Sequence, residues 1–272
     1  MLIVLLAVEG FLLLSERFGW FAFDEYEGLS AMIAIASVVA VMVLTFLWWV
    51  LALCFHWRFQ FSLRSLLVFT VAVAIPFSWL AVEMKRAREQ REAVAAIEKA
   101  GGTVFSEPTW LGKFLRDDSL VRVTGVGFFR EQTTDAALVH LEGLSQLPNL
   151  WLCNTQVTDA GLEHLEGLSQ LQFLWLSNTK ITAAGLVHLE GLSQLENLGL
   201  DSTQVTNAGL VHLQRLSQLK ALWLGRTKVT DAGLLHLQGL SQLQVLQLYN
   251  TQVTRQGVKK LQQALPNCEI QR

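Results

Sequence analysis

The second half of the chain repeats one pattern of apolar and polar positions every 24 residues. The unit at residues 147–170 is LPNLWLCNTQVTDAGLEHLEGLSQ, and it is followed by LQFLWLSNTKITAAGLVHLEGLSQ, LENLGLDSTQVTNAGLVHLQRLSQ, LKALWLGRTKVTDAGLLHLQGLSQ and a degenerating LQVLQLYNTQVTRQGVKKLQQALP. Self-similarity at a fixed period of this length is the signature of a solenoid, in which each repeat forms one coil. The pattern therefore predicts a stacked array of coils.

Each unit predicts one short strand and one short helix. The strand is exemplified by Leu150 to Leu152, and Thr158 occupies a helix N-cap. Leu162, Leu165 and Leu168 then form an i, i+3, i+6 stripe that faces inward. One coil cannot bury that stripe alone, so about five or six coils stack into a continuous core.

The terminal coils must differ from the others because each has one side that meets water. Val123, Val126 and Phe128 begin a diverged first coil, and Cys268 with Ile270 supplies a shortened last strand. We therefore assign the repeat domain to residues 120–272, with an altered coil at each end.

Two motifs resemble leucine-rich repeats: the L-x-x-L-x-L core of Leu147, Leu150 and Leu152, and the closing V-T-D-A-G-L-x-x-L of Val157 to Leu165. The family often has Asn or Cys after the strand, and a bacterial subgroup has Thr, as this chain does at Thr155, Thr179, Thr203, Thr227 and Thr251. A Thr hydroxyl still satisfies a backbone group inside the coil. The resemblance implies an α/β solenoid without enzymatic activity, whose concave strand face recognises a partner.

The first third of the chain predicts membrane helices. Residues 29–55 contain no charged side chain, and a helix of that length exceeds the roughly 30 Å hydrocarbon core. A second span is assigned to residues 63–82, with Pro76 as a kink. Residues 1–28 form an apolar segment that either spans the membrane or lies at its interface. This anchor also resembles that of bacterial membrane-bound leucine-rich repeat proteins, through the segment Phe61 to Arg64.

Residues 83–119 predict a juxtamembrane helix and an N-terminal cap. The helix, Glu83 to Ala100, carries an apolar stripe of Ala93, Val94 and Ile97, and Gly101 and Gly102 end it. We interpret it as a solvated stalk, since glutamates are interleaved with its basic residues; binding to anionic lipid is the alternative. A short strand at Val104 and Phe105 and a short helix from Trp110 to Leu115 follow.

Basic residues set the predicted orientation. Lys85, Arg86, Arg88 and Arg91 follow the second span, whereas the loop between the spans offers only Arg58 and Arg64. Flanks rich in Lys and Arg prefer the cytoplasm. The sequence therefore predicts a multi-pass membrane protein with a cytoplasmic repeat domain.

Composition and charge agree with this picture and exclude several classes of protein. Apolar residues make up 51% of the chain and charged residues 16%, which excludes intrinsic disorder. A net charge of −2 gives no electrostatic reason to expect nucleic acid. Three scattered cysteines predict neither a disulfide framework nor a zinc site, and no cofactor is expected.

Five histidines recur at one repeat position, which superficially resembles a row of metal ligands: His140, His164, His188, His212 and His236. Zinc needs ligands that converge on one point, and histidines on successive coils diverge. We therefore predict that they cap the edge of the core and bind no metal. The chain also lacks nucleotide-binding, phosphate-loop and hydrolase motifs, so no catalytic residue is assigned.

The outward strand positions carry the candidate binding residues. Between the core leucines lie Trp151, Trp175, Gly199, Trp223 and Gln247, and Asp201, Arg226 and Tyr249 follow on nearby outward positions. Exposed tryptophans on a sheet usually mark a binding surface. The alternative is that the indoles pack on each other as cross-strand neighbours and stabilise the sheet.

Strand spacing predicts a slot in this row. Neighbouring strands lie about 4.8 Å apart, so Trp151 and Trp175 can touch while Gly199 separates Trp175 from Trp223. We expect Gly199 to form the floor, the two tryptophans the walls, and Asp201 with Arg226 the rim.

The resulting hypothesis is a membrane-anchored protein-recognition or scaffolding module that binds a protein partner. Two alternatives remain: a carbohydrate-binding protein that uses stacked tryptophans, and a regulatory subunit of a membrane complex that makes contact through its spans.

Overall fold

A computed structural model describes residues 88–109 and 121–272. The three apolar segments assigned to residues 1–28, 29–55 and 63–82 lie outside the described residues, as does the helix expected from Trp110 to Leu115. Within the described ranges, no helix combines the length and the apolar character that a membrane crossing requires. Residues Ala87–Glu107 and Val121–Arg272 form one compact unit.

One sheet of eight strands, in sequence order, runs through this unit. From β2 to β8 the strands are parallel, and each core residue pairs with the residue 24 positions later, as Leu150 does with Leu174 and Leu174 with Leu198. The predicted strand per coil is therefore confirmed. The strands are β1 Thr103–Pro108, β2 Val121–Gly127, β3 Asn149–Trp151, β4 Phe173–Trp175, β5 Asn197–Gly199, β6 Ala221–Trp223, β7 Val245–Gln247 and β8 Glu269–Gln271.

Short helical turns connect the strands. The turns that begin at Asp135, Asp159, Asp231 and Arg255 each follow an extended threonine; Thr158 holds the predicted N-cap position, but its side chain makes no capping bond. Helix α1 covers residues 88–99, α2 Asp159–Leu162, α3 Asp231–Leu234 and α4 Arg255–Ala264. The 3-10 helices are Asp135–Leu141, Glu163–Leu165, Gly185–Leu189, Gly209–Arg215 and Leu235–Leu237.

The core is a column of stacked leucines. Leu162, Leu165 and Leu168 are fully buried, as their spacing predicted, and so are their copies in the next two coils. Each buried leucine contributes about 1.5–3 kcal/mol relative to an exposed one. The array is therefore held together mainly by contacts between equivalent positions of neighbouring coils.

The repeated threonines satisfy a backbone carbonyl inside their own coil. The Thr155 hydroxyl donates to the Leu152 carbonyl over 2.7 Å, and Thr179, Thr203 and Thr227 make the same bond over 2.6 Å. These four side chains are buried. The expected role of the Thr hydroxyl is thus confirmed. The bond matters because a buried carbonyl without a partner would cost about 1–3 kcal/mol.

A second ladder of polar contacts joins each coil to the next. The Asp135 carboxylate accepts bonds from the Thr158 backbone N–H at 2.8 Å and the Thr158 hydroxyl at 2.7 Å. Equivalent pairs link Asp159 to Thr182, Asn207 to Thr230 and Asp231 to Thr254. The glycine position of the repeat lies against this ladder. A Cβ at Gly185 would collide with the Asp159 carboxylate, so a side chain has no room there.

The histidine row contacts glutamates of the preceding coil. His164 Nδ1 lies 2.7 Å from Glu142 Oε1, His188 Nδ1 lies 2.6 Å from Glu166, and His212 Nδ1 lies 2.7 Å from Glu190. His236 instead lies 3.1 Å from Gln214. In the described part of the chain, no three His, Cys, Asp or Glu side chains group as metal ligands.

Helix α1 belongs to the N-terminal end of this unit. Ile97 is fully buried in the core, and Ala93 and Val94 pack against it. The Gln90 amide donates to the Val121 carbonyl over 2.9 Å. The predicted apolar stripe of this helix therefore packs on the core, while most of the other side chains of residues 88–99 are exposed or partly exposed. Gly101 ends the helix with a φ of +85°.

The C-terminal end is closed by α4 and β8. Leu261, Leu265 and Cys268 are buried. Ile270 pairs with Leu246 and packs against the core, as the shortened last strand predicted.

The Asp–Thr ladder has one gap, which makes a testable prediction. Ala183 occupies the place of Asp159 in the next coil, so no carboxylate faces Thr206. We expect Ala183→Asp to raise the free energy of unfolding by about 1 kcal/mol, the contribution of a typical added hydrogen bond. Urea unfolding of the full chain, followed by circular dichroism, measures the change.

Ala184→Asp is the matched control for this prediction. It adds the same charge to the same first turn, at an exposed position that does not replace the ladder residue. Equal stabilisation by both variants would attribute the effect to the helix terminus and contradict the ladder.

Candidate binding site on the strand face

Two rows of outward side chains run along the sheet. The strand register places Trp151, Trp175, Gly199, Trp223 and Gln247 side by side. We call these residues the aromatic row. Two positions later along the chain come Cys153, Ser177, Asp201, Gly225 and Tyr249, which we call the polar row.

The slot expected at Gly199 is closed. The Trp175 ring lies over Gly199, where an added Cβ would collide with it. The ring centroids of Trp175 and Trp223 are 4.5 Å apart with an interplanar angle of 37°. The prediction of an open gap was wrong because it used the strand spacing alone, and an indole is long enough to reach across the intervening strand.

Trp151 is not part of this aromatic pair. Its ring packs edge-on against Phe105 of β1, with centroids 5.5 Å apart. A Cβ at Gly125 would lie 2.6 Å from the same ring. Trp151 therefore contacts the N-terminal strands β1 and β2.

Asp201 is the centre of the polar row. Its Oδ1 accepts the Gly225 backbone N–H over 2.8 Å, and its Oδ2 accepts the Ser177 hydroxyl over 3.4 Å. The Tyr249 hydroxyl faces this carboxylate and acts on its pKa. Burial raises the pKa of the Asp201 carboxyl, and these hydrogen bonds oppose the rise because they favour the ionised form.

Tyr249 reaches Asp201 across one intervening coil because Gly225 leaves room. The Tyr249 ring lies over Gly225, where a Cβ would collide with it. Burial raises the pKa of the Tyr249 hydroxyl, the Asp201 charge raises it further, and Arg226 lowers it. The phenol therefore stays protonated where it faces the Asp201 carboxylate.

Arg226 lies beside this pair on a strained backbone. Its φ is +57°, in the left-handed region that the equivalent Asn154, Asn178 and Asn250 also occupy. Arg adopts this conformation much less readily than Asn. Its guanidinium carbon lies 5.9 Å from the Tyr249 ring centroid, a cation–π contact.

Five of the seven predicted site residues have partners within the candidate site. Trp175 packs on Trp223, Asp201 faces Tyr249, and Arg226 lies over the Tyr249 ring. Gly199 lies beneath the indole, and Trp151 is held by Phe105. Sequence analysis missed Ser177 and Gly225. Gly225 could have been identified from the sequence, because a glycine beside a large aromatic residue in an outward row leaves room for the aromatic ring.

Solved structures similar to this chain are leucine-rich repeat proteins. An internalin of Listeria monocytogenes (inlF) has 25% identity and a TM-score of 0.45, and covers 52% of this chain and 38% of its own. Internalin C2 of the same species has 25% identity and a TM-score of 0.40, covering 56% and 70%. A leucine-rich repeat protein of Leptospira interrogans has 22% identity and a TM-score of 0.39, covering 49% and 39%.

No protein-family model and no curated protein matches the sequence. The chain spans little more than a third of the first internalin's length. The repeat region is a leucine-rich-repeat-like solenoid, as its own strand register and leucine core require.

The closed slot makes a prediction about stability. Gly199→Ala places a Cβ against the Trp175 ring, and overpacking of this kind costs about 1–3 kcal/mol of unfolding free energy. In a Trp175→Ala background the same substitution should cost much less, because the colliding ring is gone. Urea unfolding of the full chain for the four members of this cycle measures the coupling.

Gly239→Ala is the control, since no atom lies within 4 Å of a Cβ built there. It should leave stability unchanged or slightly raised. If Gly199→Ala costs the same in both backgrounds, the Trp175 ring does not occupy the space above Gly199.

Proposed function

We propose that this chain is a membrane-anchored recognition module that binds a protein partner through the outward strand face of its repeats. The observation that carries the proposal is the cluster of Trp175, Trp223, Asp201, Tyr249 and Arg226 on that face. Tryptophan and tyrosine are among the residues most enriched at interface hot spots. Solenoids present extended surfaces of this kind to their partners.

The aromatic pair is only partly buried in the array. Trp175 and Trp223 are intermediate in exposure, whereas the leucines that flank them in sequence are fully buried. Their indoles contact each other, so they supply one continuous apolar surface bordered by the polar row. An apolar centre with a polar rim is the usual anatomy of a protein interface.

The same contact weighs against the carbohydrate alternative. A sugar ring needs an open aromatic face or a slot between two rings, and the two indoles cover part of each other at 4.5 Å. The regulatory-subunit alternative rests on the apolar segments, which lie outside the described residues. Protein recognition by the strand face is therefore the proposal that the described residues favour.

The decisive experiment compares two faces of the solenoid. The full chain, purified in detergent, captures its partner from membranes of the source organism, and binding of the purified partner is then measured for variants. We expect Trp223→Ala to weaken binding by about 2 kcal/mol, as removal of a hot-spot residue does.

Val211→Ala is the matched control on the opposite, helical side, where Val211 is 41% exposed. It should bind the partner as the unchanged chain does. Equal loss for both variants, at unchanged melting temperatures, would refute the assignment of binding to the strand face.

The anchor and its orientation belong to the same proposal. We propose membrane helices at residues 29–55 and 63–82, supported by the uncharged run of the first and the basic flank after the second. A cytoplasmic repeat domain should survive protease added to intact spheroplasts and be digested after lysis. Digestion in intact spheroplasts would place the repeats on the opposite side.

A further inference from the structure

We propose that the strand face recognises a cationic side chain of the partner, a lysine or an arginine, with Asp201 as its counter-ion and the indoles of Trp175 and Trp223 beside it. This inference rests on the proposed function, because it names the chemistry of a group that the same face binds. It follows from the position of the Asp201 carboxylate on the strand face, next to the aromatic row.

Asp201 resembles Asp135, Asp159 and Asp231 in accepting hydrogen bonds from uncharged groups of a neighbouring coil, but it lies on the strand face, two residues after the aromatic row. Glu142, Glu166 and Glu190 lie against histidines, and Glu196 pairs with Lys220 over 2.7 Å. Within the described residues, the Asp201 carboxylate accepts hydrogen bonds from the Gly225 N–H and the Ser177 hydroxyl, and the Tyr249 hydroxyl faces it; all three groups are uncharged. Among the described residues, no Lys, Arg or His nitrogen forms an ion pair with it.

Its surroundings also favour a cation over water. The carboxyl is about half buried, and that burial raises its pKa. A partly desolvated charge without a counter-ion gains more from an incoming opposite charge than an exposed one does. The hydrogen bonds hold the carboxylate in place before a partner arrives, which reduces the entropy lost on binding.

The aromatic row supplies the second component of a cation site. A lysine ammonium or an arginine guanidinium is attracted to the face of an indole, and tryptophan is the strongest of the aromatic partners. The long aliphatic stem of either side chain packs on the same apolar surface. Trp223 pairs in register with Gly199, and Asp201 follows Gly199 by two residues on the same outward side.

Arg226 is the competing feature of the cluster. Its charge would attract an acidic group, but its guanidinium lies over the Tyr249 ring and forms no ion pair with Asp201 in the described region. The two charges predict opposite partners, so substituting each of them separately decides between a basic and an acidic ligand. Arg226→Asn is the conservative choice, since Asn occupies the equivalent left-handed position in three other coils.

The test is a selection from a phage-displayed library of random dodecapeptides on the full chain in detergent, with the Trp175→Ala, Trp223→Ala double variant as the counter-selection. We expect enriched peptides to share a lysine or arginine. Replacing that lysine with acetyl-lysine, or the arginine with citrulline, should weaken binding to the unchanged chain about tenfold. The comparison of the original and modified peptides uses only the unchanged chain.

The variants then assign the counter-ion. Asp201→Asn should weaken the parent peptide about tenfold and make acetylation of the lysine nearly neutral, because the two changes remove the same interaction. Arg226→Asn should tighten binding, since it removes a like charge. Thermal unfolding confirms that both variants are folded.

Each outcome decides one question. Enriched peptides that lack a basic residue, that bind as well after acetylation, or that bind Asp201→Asn equally overturn the cation site and leave protein recognition standing. Weaker binding to Arg226→Asn overturns it in favour of an acidic ligand. If no peptide is enriched over the counter-selection, both this inference and the proposed strand face fail.

Discussion

The buried leucines of the repeats stack on their copies 24 residues later and share one core, because a single coil cannot bury them. A strand of three residues and a helical turn remove too little apolar surface from water to stand alone. The stacking therefore requires a constant repeat length. That constant length places equivalent residues side by side in the sheet. A shift of one residue in any strand would turn its leucine toward solvent and an outward residue into the core.

The polar contacts divide into two kinds that serve different parts of this arrangement. The buried threonines close the turn of their own coil, as Thr155 does with the Leu152 carbonyl. The Asp–Thr pairs join one coil to the next, as Asp135 does with Thr158. Both repeat because the positions repeat. A departure such as Ala183 removes one link and leaves the leucine column intact, so single polar links are dispensable where the apolar period is not.

These constraints explain which features of the structure can be predicted from the sequence. Strand alternation and the i, i+3, i+6 spacing determine which side each residue faces, so the buried leucines and threonines were predictable. The direction of an outward ring was not, because an indole beside a glycine can lean over either neighbouring strand. Trp175 leans over Gly199, and Tyr249 extends over Gly225 to Asp201. Those contacts join residues one and two coils apart, which a single-strand pattern does not record.

Trp151 and Trp175 show why the candidate site lies where it does. They occupy the same repeat position in adjacent, register-paired strands, yet the first packs on Phe105 and the second on Trp223. The Trp151 ring leans toward β1 and β2, whereas the Trp175 ring leans toward β5 and β6. A residue's role in this array therefore depends on its neighbours in the adjacent coils more than on its place in the repeat. The proposed binding surface coincides with departures from the repeat, at Gly199, Asp201, Gly225, Arg226 and Tyr249, on coils whose leucines are covered on both sides.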